Sequence, residues 1–357
     1  MDYGFFIAPL ADSWRAVKRA EELGYTRAWF YDTQMLNSEL FVSMTAAAMR
    51  TSRIRLATGV LIPTNRIAPV AASALATLNA MAPGRIDFGV STGFTARRTL
   101  GLPKVRQSDM EEYIRVVHGL LSGETVEWSF EGQRRKVRFL DAGIGAINIK
   151  DAIPVHVSAF GPKGRRLTAR VGAGWINSGT QIERARTGIT DMRALWKAAG
   201  REPSEQYITA TVAGCVLKGG EAPDSPRVKA FVGPHATVAL HSMVEQEEYG
   251  EGWRSIPQVL ASVLERYREI YRAYGPDDAR YLANHRGHLM YLRPEEQELC
   301  SGELIQATTW TAGKEELRER LRALRDMGYN HFGINAAFGA NAAVEQLEQW
   351  ADVFEGV

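Results

Sequence analysis

Short runs of β-branched and aromatic residues alternate with longer stretches of helical period almost from end to end, which confines the chain to βαβ units around a parallel sheet. GFFIA at 4–8 is the first such run. Asp12 then stands as the N-cap of a helix in which Trp14, Val17, Ala20 and Leu23 recur at helical spacing, and Gly24 ends it. Further strands are predicted at 27–31, 54–61, 86–91, 154–158, 174–177, 207–217 and 331–335. Helices are predicted at 40–49, 69–81, 110–121, 163–171, 183–199, 317–327 and 344–354. Eight strands with interleaved helices, the last pair at the C-terminus, fit a closed (β/α)8 TIM barrel better than an open sheet.

Two stretches depart from the alternation. ETVEWSFEGQRRKVRF at 124–139 predicts a surface hairpin turning near Glu131-Gly132. Residues 218–310, between strands seven and eight, hold at least one long helix around 259–274, so they form an insertion in a single domain spanning 1–357. Insertions at the C-terminal ends of barrel strands cover the active site, which makes this one a lid or substrate wall. A dimerisation element is the alternative.

Composition narrows the function classes. The 357 residues carry 43 Lys and Arg against 41 Asp and Glu, a net charge of +2, with no run of five like charges. That balance argues against nucleic acid as a partner. No apolar stretch reaches the length of a membrane span and the N-terminus lacks a signal-type apolar region, so a soluble, cytoplasmic protein is expected. Cys215 and Cys300 match no metal or redox spacing and read as reduced thiols.

Three segments carry candidate chemistry. In GRIDFGVSTGFTARRTLG (84–101), a strand runs into Ser91-Thr92-Gly93, where a glycine lets a flat ring or a phosphate approach the main chain. In VHVSAFGPKGRRLTARVGAG (155–174), a strand leads through Ala159-Phe160-Gly161-Pro162-Lys163 into a helix. The free N–H groups at that helix start, with Lys163, Arg165 and Arg166 nearby, make either a phosphate site or an ordinary β-to-α turn. In RIRLATGVLIPTNR (53–66), Thr58-Gly59-Val60 interrupts a β-branched strand and predicts a bulge or close backbone approach.

These segments, together with EELGYTRAWFYD at 21–32 and GAGWIN at 172–177, resemble the bacterial-luciferase-like flavin- and deazaflavin-dependent barrels, nearest the methylenetetrahydromethanopterin reductase branch. The likeness covers about the first 200 residues and the last 45, and leaves the insertion aside. It implies a non-prolyl cis peptide at Gly59-Val60 behind the tricyclic ring. It also implies that Thr92 and Gly93 line the ring, and that Ala159, Gly161, Pro162 and Lys163 anchor the phosphate. Departures are equally informative. Many relatives carry a histidine at the end of strand two, where this chain has Asp32-Thr33-Gln34. Phe94 stands where the sugar-phosphate dehydrogenase branch has its glutamate, and Thr92 where luciferase has an arginine. Asp32 and Gln34 remain as the polar groups to meet the ring's pyrimidine edge.

The implied activity is oxidoreduction of a small organic substrate, with the cofactor carrying the redox chemistry. The cofactor is either coenzyme F420, transferring hydride, or reduced FMN, supporting monooxygenation with a separate flavin or F420 reductase as possible partner. A non-catalytic flavin-binding barrel is the alternative, and a homodimer is expected by analogy. Among the seven histidines, His285 and His288 are three apart but lack a third metal ligand. His156, alternating with Val155 and Val157, is either a proton carrier in the lumen near the cofactor or a core histidine. His331 opens the last strand at the wrong end for catalysis.

Overall fold

A computed structural model describes residues 1–250 and 258–357; residues 251–257, within the insertion, lie outside the described residues. The strands in chain order are β1 (Asp2–Ile7), β2 (Arg27–Phe30), β3 (Arg55–Thr58), β4 (Ile86–Val90), β5 (Val126–Phe130), β6 (Gln133–Val137), β7 (Val155–Ser158), β8 (Gly174–Ser178), β9 (Ile208–Val216), β10 (Trp310–Ala312) and β11 (His331–Asn335). All but β5 and β6 pair in parallel, and β9 pairs with both β8 and β11, which closes the sheet. The eight expected strands are the barrel: β1 to β4, β7 to β9 and β11. The β5–β6 pair is the antiparallel hairpin, turning through Glu131 and Gly132, both at positive φ. Among the described residues no helix is long and apolar enough to cross a membrane.

Strand side chains alternate, so each barrel strand feeds two environments. Phe5, Phe30, Leu56, Phe88, Val157, Trp175 and Ile334 point outward and are buried beneath the helices. The inward residues stack in layers along the lumen. Phe6, Trp29, Ala57 and Ile176 form an apolar middle layer, with the Phe6 and Trp29 rings stacked at 5.4 Å. Towards the C-terminal ends the lumen turns polar: Tyr31 and Thr211 both donate to Asn335 Oδ1, and Ser91 donates to the Ser158 carbonyl.

The floor, at the N-terminal ends, is charged. Arg27 Nε and Arg55 Nε donate to Asp87 Oδ2 at 2.9 and 2.8 Å, and His156 Nε2 lies 3.5 Å from Asp87 Oδ1. Burial alone would raise the Asp87 carboxyl, but His156, Arg27 and Arg55 hold it far below the usual carboxylate range. Burial lowers His156 against the pull of Asp87, so it stays neutral. Glycine makes room for the imidazoles: a Cβ at Gly4 would lie 2.4 Å from His331 Nε2, and one at Gly174 2.4 Å from His156 Nδ1. His156 is thus a core histidine of the floor. It faces away from the barrel mouth, which corrects its candidacy as a proton carrier beside the cofactor.

Between β9 and β11 the chain forms helices at Pro226–Glu248, Gln258–Arg272, Arg280–Asn284 and Gly302–Thr308, followed by β10, which pairs with the end of β9. Val228, Val232, Leu240, Met243, Leu264 and Leu304 give these helices a hydrophobic core of their own. Both cysteines are buried and unpaired; burial pushes the Cys215 thiol up to about 11 and that of Cys300 to about 12, which suppresses thiolate chemistry.

The charged floor generates a stability prediction. Asp87 has a depressed folded-state pKa, so its contribution is complete above the ordinary carboxylate range and is lost as pH falls through and below it. Asp87→Asn, which leaves two guanidinium groups without their partner, should cost about 3–5 kcal/mol in denaturant melts near neutral pH. A loss below about 1 kcal/mol, no more than an exposed ion pair contributes, would contradict this reading of the floor.

Candidate active site at the barrel mouth

Three strand ends build the mouth. β3 stops at Thr58, short of the predicted residue 61, and the Gly59–Val60 peptide is cis. The backbone is nonetheless held on both sides: Gly59 N–H donates to the Phe30 carbonyl at 2.6 Å and Leu61 N–H to Gly89 at 2.8 Å. A Cβ on Gly59 would come within 2.5 Å of Trp29 Cβ, so only glycine lets this segment lie against the lumen's aromatic layer. Val60 packs partly buried on that layer.

At the end of β4, Gly93 adopts φ +75° and caps a short helix, Phe94–Arg98. A side chain there is excluded twice, by the backbone conformation and by Ile62 Cγ2, 2.6 Å from an ideal Cβ. Thr92, beside it, is half-buried, and its carbonyl accepts from Val105 N–H.

Asp32 and Gln34 stand at this mouth with their polar atoms engaged. Asp32 is 4% exposed; Oδ2 accepts from Ile62 N–H at 3.0 Å and Oδ1 from Arg66 at 2.9 Å. Gln34 donates to the Ala96 carbonyl at 2.5 Å and accepts from Asn65 at 2.7 Å. Asp32 holds the loop after β3 and Gln34 ties that loop to the one after β4, roles that the sequence did not reveal.

The third strand end leads into the Pro162–Val171 helix. Ala159 is locked in place, its N–H donating to Ile176 and its carbonyl accepting from Trp175 Nε1 at 2.7 Å. Gly161 is the N-cap without a side-chain cap and Pro162 follows, so the first N–H groups of the helix have no intrahelical acceptor. A Cβ on Gly161 would meet nothing within 4 Å, so the approach to these amides is open. Alongside lies a cavity of about 710 Å³, lined by Phe160, Arg165, Ser178, Thr180, Arg184 and His235 among others and roofed by Val259, Leu260 and Thr308 of the insertion. Arg165 donates to the Phe160 carbonyl and to Asp191, while its buried Nε has no partner. Two guanidinium groups, one of them paired with the lining carboxylate of Asp191, together with hydroxyls and a nearby helix start suit an acceptor-rich group such as a phosphate. Lys163 is exposed and absent from the lining; Arg165 and Arg184 bring the positive charge instead. Of the residues singled out by sequence, the strand ends gather Asp32, Gln34, Gly59, Val60, Thr92, Gly93, Ala159, Gly161 and Pro162 at one end of the barrel, and leave His156 at the other.

With this geometry in place the comparisons with known proteins are decisive. A family model described as luciferase-like monooxygenase matches residues 5–331. The chain belongs to that family. The 5,10-methylenetetrahydromethanopterin reductase of Methanolobus tindarius is 29% identical over 195 residues, 54% of this chain and 58% of that protein. An F420-dependent glucose-6-phosphate dehydrogenase of Nakamurella multipartita is 37% identical over 139 residues, 37% of this chain and 40% of that protein. The matched region therefore spans about half the length of these curated relatives. Among solved structures, the coenzyme F420-dependent tetrahydromethanopterin reductase of Methanopyrus kandleri shares the fold with a TM-score of 0.70, at 20% identity and 98% coverage of both chains. The luciferase-like barrel anticipated from five short segments is thus the architecture observed.

Gly93→Ala tests the mouth directly. Forcing a side chain into this conformation against Ile62 should lower stability by about 1–3 kcal/mol, read by chemical denaturation. An unchanged midpoint would show that the Ser91–Phe94 turn is less constrained than its geometry indicates.

Proposed function

We propose that this chain is an F420-dependent oxidoreductase that exchanges hydride with a small organic substrate at the barrel mouth. The observation that carries the reading is the cavity beside the Pro162–Val171 helix. Its open N-terminus, the unpartnered Arg165 Nε, Arg184 and the Ser178 and Thr180 hydroxyls fit the phosphate of a long deazaflavin cofactor. Both curated relatives above, and the solved reductase, are proteins of methanopterin or F420 chemistry.

When bound, the deazaflavin supplies a hydride donor and acceptor. The protein's residues do the rest. The Ala159–Lys163 turn with Arg165 and Arg184 anchors the phosphate, Gly59-Val60 backs the ring, and Thr92 and Gly93 line its edge. Asp32 and Gln34 hold those loops in register, so their contribution is placement of the ring. The insertion roofs the cavity and excludes water, the role of a lid. Reduced FMN, supplied by a separate reductase for monooxygenation, is the second cofactor that this mouth could hold. Family membership favours an enzyme over a non-catalytic flavin store. A homodimer is supported by Val42, Met49, Ile67 and Val70, large apolar residues exposed on or beside the adjacent Leu40–Ala48 and Ala68–Met81 helices. The two buried, unpaired thiols suit a cytoplasmic enzyme.

Titrating the protein with F420 and with FMN, each oxidised and reduced, tests this reading. Selective F420 binding is expected, and Arg165→Ala with Arg184→Ala should weaken it at least about tenfold, the loss of one charge-assisted contact. Preference for reduced FMN would move the protein to the monooxygenases. Binding of neither would refute the site.

A further inference from the structure

The insertion carries four of the seven histidines, His235, His241, His285 and His288, and all four are buried. Three contacts link two of them, His241 and His288, to the mouth. His241 Nε2 lies 2.5 Å from Glu296 Oε1, His241 Nδ1 lies 3.0 Å from His288 Nδ1, and His288 Nε2 lies 3.2 Å from Thr95 Oγ1. Thr95 is half-buried in the first turn of the helix that Gly93 caps, so the chain of contacts ends on a hydroxyl at the mouth. Among the described residues no set of three His, Cys, Asp or Glu side chains converges on a possible metal position, and the imidazoles meet in pairs.

The proton positions follow from the partners. Burial would raise Glu296, but His241 and Arg293 hold its carboxyl down at about 2, so it is a carboxylate and only accepts. Burial lowers His241 and His288, and at His288 the neighbouring His285, His241, His235 and Arg293 lower it further, so both rings are neutral. His241 must then carry its proton on Nε2 and accept at Nδ1. His288 must carry its proton on Nδ1 and accept at Nε2, from the Thr95 hydroxyl. Every hydrogen bond points from the mouth towards Glu296.

We propose that Thr95, His288, His241 and Glu296 form a relay that takes the hydroxyl proton of an alcohol substrate as it is oxidised to a carbonyl at the mouth. The proposal rests on the hydride-transfer reading above. The substrate O–H bond breaks and its proton passes to Thr95 Oγ1, as the Thr95 proton passes to His288 Nε2. The O–H electron pair would form the C=O bond, and a bound oxidised deazaflavin would supply the acceptor for the hydride leaving the carbinol carbon. His288 then shifts its Nδ1 proton to His241, whose Nε2 proton moves towards Glu296. Carbonyl reduction runs the same path in reverse.

The groups facing the imidazole pair are Thr95 from the barrel, His235 and Glu245 from the His241 helix, Tyr267 from the Gln258–Arg272 helix, and His285, Arg293 and Glu296 from the segment around His288. The insertion is already tied together without the Thr95 link. Arg293 donates to Tyr267 at 2.7 Å, Tyr267 to Asn284 at 2.6 Å, and Asn284 to Glu245 at 2.7 Å. The Thr95 contact is additional to these and reaches from the insertion to the mouth.

Two measurements test the relay. In nitrogen-15 NMR of the labelled protein without cofactor, His288 should appear neutral with its proton on Nδ1, and His241 neutral with its proton on Nε2, assigned through the His→Gln variants. A proton on His288 Nε2, or a cationic pair near neutral pH, would overturn the proposal. With F420 and a panel of short secondary alcohols (2-propanol, 2-butanol, cyclohexanol), Thr95→Val and His288→Gln should each lower kcat by about 100-fold or more. F420 affinity should stay unchanged, and Thr95→Ser should retain turnover. Thr95→Val keeps the test open should His288→Gln fail to fold. Variants that bind F420 and keep wild-type kcat would overturn the relay, and F420-loaded wild type that turns over no alcohol would overturn the substrate class. Wild type that binds no F420 would instead refute the function reading, while the NMR protonation pattern still decides the relay.

Discussion

A single buried carboxylate holds the barrel together at its base. Asp87 offers the counter-charge for Arg27 and Arg55 and faces the neutral His156, so side chains from four strands meet on one buried carboxylate at the base of the lumen. Ion pairs in such a place stabilise only when complete, because each partner left alone would be a buried charge. With the floor sealed this way and the Phe6–Trp29 layer stacked above it, the polar and backbone groups free to meet a ligand are confined to the opposite end. The mouth is therefore where β-strand ends, glycine turns and helix starts converge, as in other barrels of this architecture.

Much of this was legible in the chain. Short β-rich runs marked all eight barrel strands to within a few residues, and Glu131-Gly132 marked the hairpin turn. β3 ended early because its exit at Gly59-Val60 leaves the ladder, which hydrophobic pattern alone does not report. The Pro226–Glu248 helix was invisible for another reason. Gly233 and Pro234 sit in its middle and buried residues occur on most of its circumference, so it shows no clean amphipathic period, although Ser225 caps its start and Pro226 follows.

The site was legible as places and much less as contacts. The family resemblance put Asp32 and Gln34 at the mouth, but could not show that Arg66, Ile62, Asn65 and Ala96 already satisfy them. A basic cluster after Pro162 pointed to the phosphate side, yet helical phase turns Lys163 to solvent and Arg165 to the cavity. His156 illustrates the limit of alternation: it correctly indicates the lumen face but not which end of the lumen. The histidine pair escaped notice because His241 and His288 are 47 residues apart and meet only when the insertion folds over the mouth.

The central claim, that the mouth and the cavity beside the Pro162–Val171 helix form one cofactor site, is tested most directly by a crystal structure of the protein with oxidised F420. The account predicts the phosphate against Arg165, Arg184 and the Gly161–Lys163 backbone, with the ring lying over Gly59-Val60. A cofactor seated instead in the separate cavity bounded by Met35, Thr99, Tyr281 and Met290 would contradict it.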